Sequence, residues 1–114
     1  MSQKSTYIKA VGYAVPTNRL THEELQKRFG AEQMNKVAES SGIVERRVVD
    51  KDTCASDLAF MAAESLLEKN NIDRSSIDIL IFASQTPDYL LPTTACILQN
   101  RLKLKTQCAA FDIN

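Results

Sequence analysis

Five consecutive apolar residues, Ile79 to Ala83, lie within a strand-like run at residues 77–84. A half-exposed strand alternates apolar and polar side chains, whereas a strand covered on both faces carries an unbroken apolar run. Strands of the second kind are typical of parallel sheets with helices packed against them. The run therefore predicts a parallel strand, covered on both faces, in a layered α/β fold.

Helix signals are clear in the first half of the chain. Thr21 and Glu24 have the spacing of a capping box, which predicts a helix start, and Gly30 can end that helix. A second helix is predicted over residues 31–41, because Gly42 follows an apolar stripe with helical spacing. The remaining predicted elements are strands at residues 7–15, 43–49 and 108–113, a helix capped by Thr53 that runs to Asn70, and a helix over residues 93–102 with Pro92 in its first turn. The predicted order is β-α-α-β-α-β-α-β.

Composition excludes several classes of protein. The 114 residues carry a net charge of +0, whereas nucleic-acid binders usually have a basic excess. No apolar run approaches the length of a membrane span, and the start at Met1–Lys4 lacks the apolar stretch of a signal peptide. We therefore expect a cytoplasmic protein of one domain, or one part of a larger domain. Neither a zinc-type spacing nor a cofactor-binding motif is visible, so no metal or cofactor is expected.

The three cysteines, Cys54, Cys96 and Cys108, are an odd number without C-x-x-C spacing, which favours free thiols. A catalytic thiol needs a base within hydrogen-bond reach, and the one histidine, His22, is predicted to be an exposed helix residue. Cys54 opens a helix, where the dipole can lower a thiol pKa, but core packing is the preferred interpretation for all three thiols. The residues alone reveal no complete catalytic constellation.

Two other segments are candidates for a site. In an extended segment Glu45 and Arg47 share one face and Arg46 the other, which favours structural ion pairing over the placing of an active-site loop. The predicted loop at residues 86–92 follows the buried strand at its carboxyl end, where α/β folds place ligand sites. Leu90 and Leu91 are apolar in this loop, so they either pack locally or form the wall of a pocket, which could belong to a partner subunit.

The chain resembles the start of β-ketoacyl-acyl carrier protein synthase III, one of the thiolase-like condensing enzymes. The resemblance extends over nearly the whole chain, and the order and spacing of the matching stretches are more specific than any one of them. These stretches are residues 12–18, 41–47, 53–63, 79–82, 86–95 and 110–112.

The resemblance implies an acyltransferase. Such enzymes join the acyl group of an acyl-CoA or acyl-acyl carrier protein to malonyl-acyl carrier protein by decarboxylative Claisen condensation, in fatty-acid or related biosynthesis. A cysteine at a helix N-terminus is the nucleophile, and a histidine and an asparagine from the second half assist. The resemblance places that cysteine just after Asn114, beyond the strand that ends in Asp112. Cys108 precedes this point, so no catalytic residue is assigned to the chain, and the 114 residues alone are expected to be inactive.

The resemblance also implies a fold and an assembly. The full protein would have two similar halves in an αβαβα arrangement, of which residues 1–114 would form most of the first. Such enzymes are homodimers, in which the loop before the Pro-initiated helix reaches the neighbouring active site. Leu91 is therefore the candidate for an acyl-pocket residue that acts in the partner subunit.

One departure from the family concerns the acyl donor. Members that use acetyl-CoA often hold the adenine between a tryptophan and an arginine, and the matching positions here are Lys36 and Ser40. Neither side chain can stack on a base as tryptophan and arginine do. We therefore expect a different donor, such as a carrier-protein-bound or longer acyl group, or a different grip on CoA.

A non-catalytic alternative stays open. Half of a thiolase-like sheet would expose apolar surface, and such patches imply a partner or aggregation. The chain could then be a free-standing half-domain used for binding or subunit assembly. Whether it is a shortened chain, a proteolytic product or a natural short protein is also open.

Overall fold

The computed structural model describes residues 5–114, so the predicted absence of a signal peptide at Met1–Lys4 lies outside the described residues. The chain divides into two compact units. One is Val15–Thr53, called the small unit here. The other, called the core unit, comprises Cys54–Asn114 and the described residues up to Ala14. From the first helix onward the order of elements agrees with the prediction, whereas the first strand is Arg19–Thr21 and not residues 7–15.

The small unit contains two short strands and two helices. Strand β1 (Arg19–Thr21) pairs antiparallel with β2 (Glu45–Arg47), and helices α1 (His22–Phe29) and α2 (Ala31–Ser41) lie between them in sequence. The predicted capping box is present, because Thr21 Oγ1 accepts from the Glu24 N–H and the Glu24 carboxylate accepts from the Thr21 N–H. Gly42 ends α2 in the left-handed conformation at φ 70°, as the prediction of a helix stop there requires.

The core unit is built on a parallel β-α-β arrangement. Strands β3 (Ile79–Ala83) and β4 (Ala109–Ile113) pair in parallel, and α4 (Thr94–Arg101) lies between them in sequence. Helix α3 (Ala55–Lys69) precedes them, with a 3₁₀ turn at Arg74–Ser76. The predicted α/β class and the parallel pairing are confirmed.

One face of the β3–β4 pair forms the core. Phe82 and Cys108 are buried there together with side chains from both long helices of the unit. The close approach of residue 12 to α3 favours glycine, because a Cβ at Gly12 would lie 3.0 Å from Leu66 Cβ and 3.2 Å from the Ala62 carbonyl oxygen. The buried core residues are Leu67, Phe82, Ala95, Leu98, Leu102, Leu104 and Cys108.

The prediction that β3 is covered on both faces is wrong for the described chain. Ile79 and Ile81 are 58% and 52% exposed, and Phe111 and Ile113 on β4 are 43% and 53% exposed. Because side chains alternate across a strand, these four residues form one continuous apolar face, called the open face here. No other element of the described core unit covers it.

Three element boundaries also differ from the prediction. Residues 7–15 form no strand, because strand structure needs a hydrogen-bonded partner and these residues have none in the described chain. Helix α3 is capped at Cys54 rather than Thr53, whose hydroxyl instead donates to Asp50 Oδ1 at 2.8 Å. Pro92 lies before the N-cap of α4, Thr93, and not in its first turn.

The contrast between buried and exposed leucines gives a stability prediction. Leu102 is 2% exposed in the core, so Leu102→Ala is expected to lower the free energy of unfolding by about 2–5 kcal/mol through lost burial and a cavity. Leu90 is 90% exposed, so the same substitution there is expected to change it by less than about 0.5 kcal/mol. Urea unfolding of both variants measures the difference, and equal effects would contradict the described core.

Candidate functional site

The loop between β3 and α4, residues 84–93, lies at the carboxyl end of the parallel strands. This edge is where open α/β sheets place their ligands. The Ser84 N–H at the start of the loop donates to the Ile113 carbonyl at 3.0 Å. At its other end, the N–H groups of Thr94 and Ala95 donate to the two carboxylate oxygens of Asp112 at 2.8 and 2.7 Å. Both ends of the β3–α4 loop are therefore held by the end of β4.

The middle of the β3–α4 loop presents apolar side chains to solvent. Tyr89, Leu90 and Leu91 are 59%, 90% and 83% exposed. Local packing over the sheet edge, one of the two interpretations of these leucines, is thereby excluded for the described chain. The structure places Leu91 at the predicted edge of the sheet, and its role in an acyl pocket stays a prediction.

The N-terminus of α3 lies beside the same loop. Asp88 accepts a long hydrogen bond, 3.4 Å, from the Ser56 N–H in the first turn of α3. Asp57 accepts from the Cys54 N–H at 2.9 Å and from Arg101 at 2.8 Å. The Arg101 guanidinium also lies 4.5 Å from the centre of the Phe60 ring, a cation–π arrangement. The contacts of Arg101 join the N-terminal part of α3 to the C-terminal end of α4.

These hydrogen bonds change the acidity of Asp57. The donated N–H of Cys54, and after it the Arg101 guanidinium, lower the pKa of Asp57 below its ordinary value. Both donors favour the charged carboxylate. Asp57 is thus ionised at neutral pH and acts as a cap and ion-pair partner, not as a general acid.

The three thiols lie in the core unit and His22 lies in the small unit. Cys108 is buried in the core as predicted, whereas Cys54 and Cys96 are exposed, so the core-packing prediction is wrong for these two. Cys96 lies in the first turn of α4, and Thr93 Oγ1 is 3.1 Å from its sulfur. His22 is half-buried rather than exposed, because its Nε2 is hydrogen-bonded to Asn35 Oδ1 of α2 at 2.9 Å.

Structural ion pairing, the favoured interpretation of the charged cluster on β2, is confirmed for Glu45 and Arg47. Glu45 lies 3.3 Å from Arg19 on the paired strand and 3.7 Å from Arg47 on its own. Arg47 also donates to the carbonyls of Pro16 and Thr17, which ties the segment before β1 to β2. The alternation of Glu45 and Arg47 against Arg46 follows the predicted pattern.

Lys36 and Ser40 are both exposed on α2, and both are occupied locally. The Lys36 ammonium pairs with Glu32 at 2.8 Å, and the Ser40 hydroxyl donates to the Val37 carbonyl at 3.1 Å. Neither offers a flat surface on which a purine ring could stack.

Within residues 5–114, no three side chains of His, Cys, Asp or Glu come together as metal ligands would. The helices of the described chain are all too short or too polar to cross a bilayer.

Two residues of this region were missed in the sequence. No local pattern marks Asp112 as a partner of α4, because Thr94 and Ala95 are 18 and 17 positions away in sequence. The same holds for Arg101. Its partners Asp57 and Phe60 are more than forty positions away in sequence, and no local pattern links them.

No protein-family model matches the chain. Among solved structures, the 3-oxoacyl-(acyl-carrier protein) synthase of Burkholderia xenovorans LB400 is 40% identical with a TM-score of 0.83, over 91% of this chain and 30% of that one. The β-ketoacyl-acyl carrier protein synthase III of Thermus thermophilus is 34% identical with a TM-score of 0.81, over 95% and 33%. Cerulenin-bound OleA of Xanthomonas campestris is 31% identical with a TM-score of 0.77, over 90% and 32%.

These similarities confirm the family resemblance. The fold is that of the thiolase-like condensing enzymes. Within that class, the chain is similar to β-ketoacyl-acyl carrier protein synthase III over nearly all of its own length. It spans about a third of the length of the structures it matches.

The lowered pKa of Asp57 predicts a pH effect. Because its folded-state pKa lies below the ordinary 3.8, the carboxylate stabilises the fold above that pH, and the contribution is lost as pH falls through the folded pKa. Asp57→Asn is expected to cost about 1 kcal/mol at neutral pH, since solvent screens a side chain that is one-third exposed. Urea unfolding from pH 7 to pH 3 should show the gap between wild type and variant closing with acid. Asp52→Asn, on an exposed turn, is the matched control, and a gap that stays constant would contradict the role of Asp57.

Proposed function

We propose that the whole protein is an acyltransferase of the β-ketoacyl-acyl carrier protein synthase III type, with residues 1–114 as the N-terminal part of its thiolase-like domain. It would form a carbon–carbon bond by decarboxylative Claisen condensation of an acyl thioester with malonyl-acyl carrier protein, in fatty-acid or related biosynthesis. The observation that carries the proposal is the 40% identity to a 3-oxoacyl-acyl carrier protein synthase over 91% of the chain. Homodimer formation and a cytoplasmic location belong to the same proposal.

In this proposal the described residues are a scaffold rather than the catalytic groups. The nucleophile would be a cysteine just after Asn114, beyond the end of β4, and a helix N-terminus there would lower its pKa. Backbone or side-chain donors would stabilise the developing oxyanion. The contribution of the described chain is the parallel strand pair that leads to that point and the β3–α4 loop at the same sheet edge.

The donor is proposed to be held without adenine stacking. Lys36 and Ser40 lack the planar or aromatic groups for it, and each is engaged within α2. A donor recognised through its acyl chain or through a carrier protein fits this surface. The exposed Leu91 would supply part of the apolar wall for the acyl chain in the partner subunit.

The test is a reconstituted condensation. The parent gene is read beyond the codon for Asn114, and its full product is incubated with acyl-CoA or acyl-acyl carrier protein donors and malonyl-acyl carrier protein. Acylation of one cysteine, seen by intact mass, and release of CO₂ with a 3-oxoacyl product are expected. Replacement of that cysteine by alanine should abolish the product. A parent with no cysteine at that point, or a cysteine variant with full activity, would refute the assignment.

The proposed role of Leu91 gives a separate prediction. Leu91→Ala is expected to change the preference between short and long acyl donors, measured as relative kcat/KM, by about tenfold. The reason is that one methylene more or less in an apolar pocket changes discrimination between substrates by about this factor or more. Leu90→Ala is the matched control at the neighbouring exposed leucine. An equal effect of both substitutions would contradict a specific pocket position.

Action across the dimer can be tested with mixed dimers. One subunit carries Leu91→Ala with an intact nucleophile, and the other carries native Leu91 without the nucleophile. If Leu91 serves the partner's site, the only working site in this dimer sees a native leucine and keeps wild-type selectivity. Variant selectivity would show that Leu91 acts within its own subunit.

One observation favours a second function, a half-domain that binds a partner. The open face exposes four large apolar residues side by side, Ile79, Ile81, Phe111 and Ile113. A natural stop codon after Asn114, with a monodisperse 114-residue product, would support this function over the condensing enzyme.

A further inference from the structure

We propose that Asp112 is a positioning residue for the condensation, because its carboxylate sets the position of the β3–α4 loop and of Leu91 relative to the end of β4. This inference rests on the proposed function. Asp112 contacts the residues that follow the loop, Thr94 and Ala95, and it is not one of the groups expected to carry out the reaction.

The end of β4 is the common support for both ends of the loop. The Ile113 carbonyl accepts from the Ser84 N–H at 3.0 Å, and Asp112 accepts from the N–H groups of Thr94 and Ala95. Two successive residues of one strand therefore hold the first residue of the loop and the first turn of the helix that follows it.

A carboxylate is the group that this position requires. The first N–H groups of a helix have no partner within the helix, and Thr94 and Ala95 are both 0% exposed, so water cannot supply one. An ionised carboxylate has two oxygens that only accept, and its charge complements the positive end of the helix dipole. An asparagine would turn an NH₂ group toward one of the two donors, which leaves that N–H without an acceptor.

The middle of the loop has little else to hold it. Leu90 and Leu91 are exposed, and the 3.4 Å hydrogen bond from Ser56 to Asp88 is long. Leu91 is only three positions before Thr94. A shift in the first turn of α4 therefore passes directly to Leu91, while Asp112 is also part of the strand that leads to Asn114.

The experiment uses the full-length protein and the variant Asp112→Asn, with Asp78→Asn as the matched control. Asp78 precedes β3 at the opposite end of the same strand pair and makes an exposed ion pair with Lys105. Amide hydrogen exchange is followed over residues 84–95, and relative kcat/KM is measured for short and long acyl donors.

Asp112→Asn is expected to speed exchange of the Thr94 and Ala95 amides by about ten- to a hundredfold, the loss expected for hydrogen bonds to a charged group. The variant is also expected to shift the relative kcat/KM between short and long donors. A general loss of stability would instead lower kcat/KM equally for all donors. Asp112→Glu keeps the charge but moves it by one methylene. This variant is expected to shift the preference as well, and it serves if Asp112→Asn does not fold.

Several results would overturn the inference. Exchange and donor preference equal to those of Asp78→Asn would show that Asp112 does not hold the loop. Faster exchange with an unchanged donor preference would make Asp112 a helix cap without a positioning role. If the wild-type protein forms no condensation product, the proposed function fails by itself, and the exchange measurement alone decides whether Asp112 holds the loop.

Discussion

The parallel pairing of β3 with β4 is the interaction on which the core unit depends. Its register sets Phe82 opposite Asp112, so the buried aromatic and the helix-capping carboxylate lie at the same end of the strand pair. The pairing also requires a crossover between the strands, and α4 within that crossover contributes Ala95 and Leu98 to the core. Loss of this pairing would remove the core face and the support of the β3–α4 loop together.

Charge is used in this chain mainly for structure. Glu64 and Arg74 form a two-bond pair at 2.6 and 3.0 Å that joins α3 to the 3₁₀ turn, and Arg74 also reaches the Leu102 carbonyl at 2.9 Å. The Arg74 guanidinium lowers the pKa of Glu64, as expected for a carboxylate that accepts charge-assisted hydrogen bonds. Asp57 and Asp112 accept hydrogen bonds from N–H groups at helix N-termini. These charges of the described chain thus pair with one another or cap helices.

The open face relates the scaffold to the proposed enzyme. An unbroken apolar strand predicts cover on both sides, and the described chain covers β3 on one side only. The matched structures are about three times longer than this chain. In the proposed full-length enzyme, further residues would supply the second cover that the strand pattern predicts.

Local signals in the sequence determined much of this protein: the capping box at Thr21, the helix stop at Gly42, the parallel strand at Ile79–Ala83 and, through the order of its motifs, the family. These features depend on neighbouring residues, so a pattern a few positions long contains them. Only the tertiary structure decided that residues 7–15 are not a strand, that Cys96 faces out, and that Asp112 and Arg101 have distant partners. Each of these depends on which segments meet in space, and a strand ladder or a capped helix N-terminus exists only once its partner is in place.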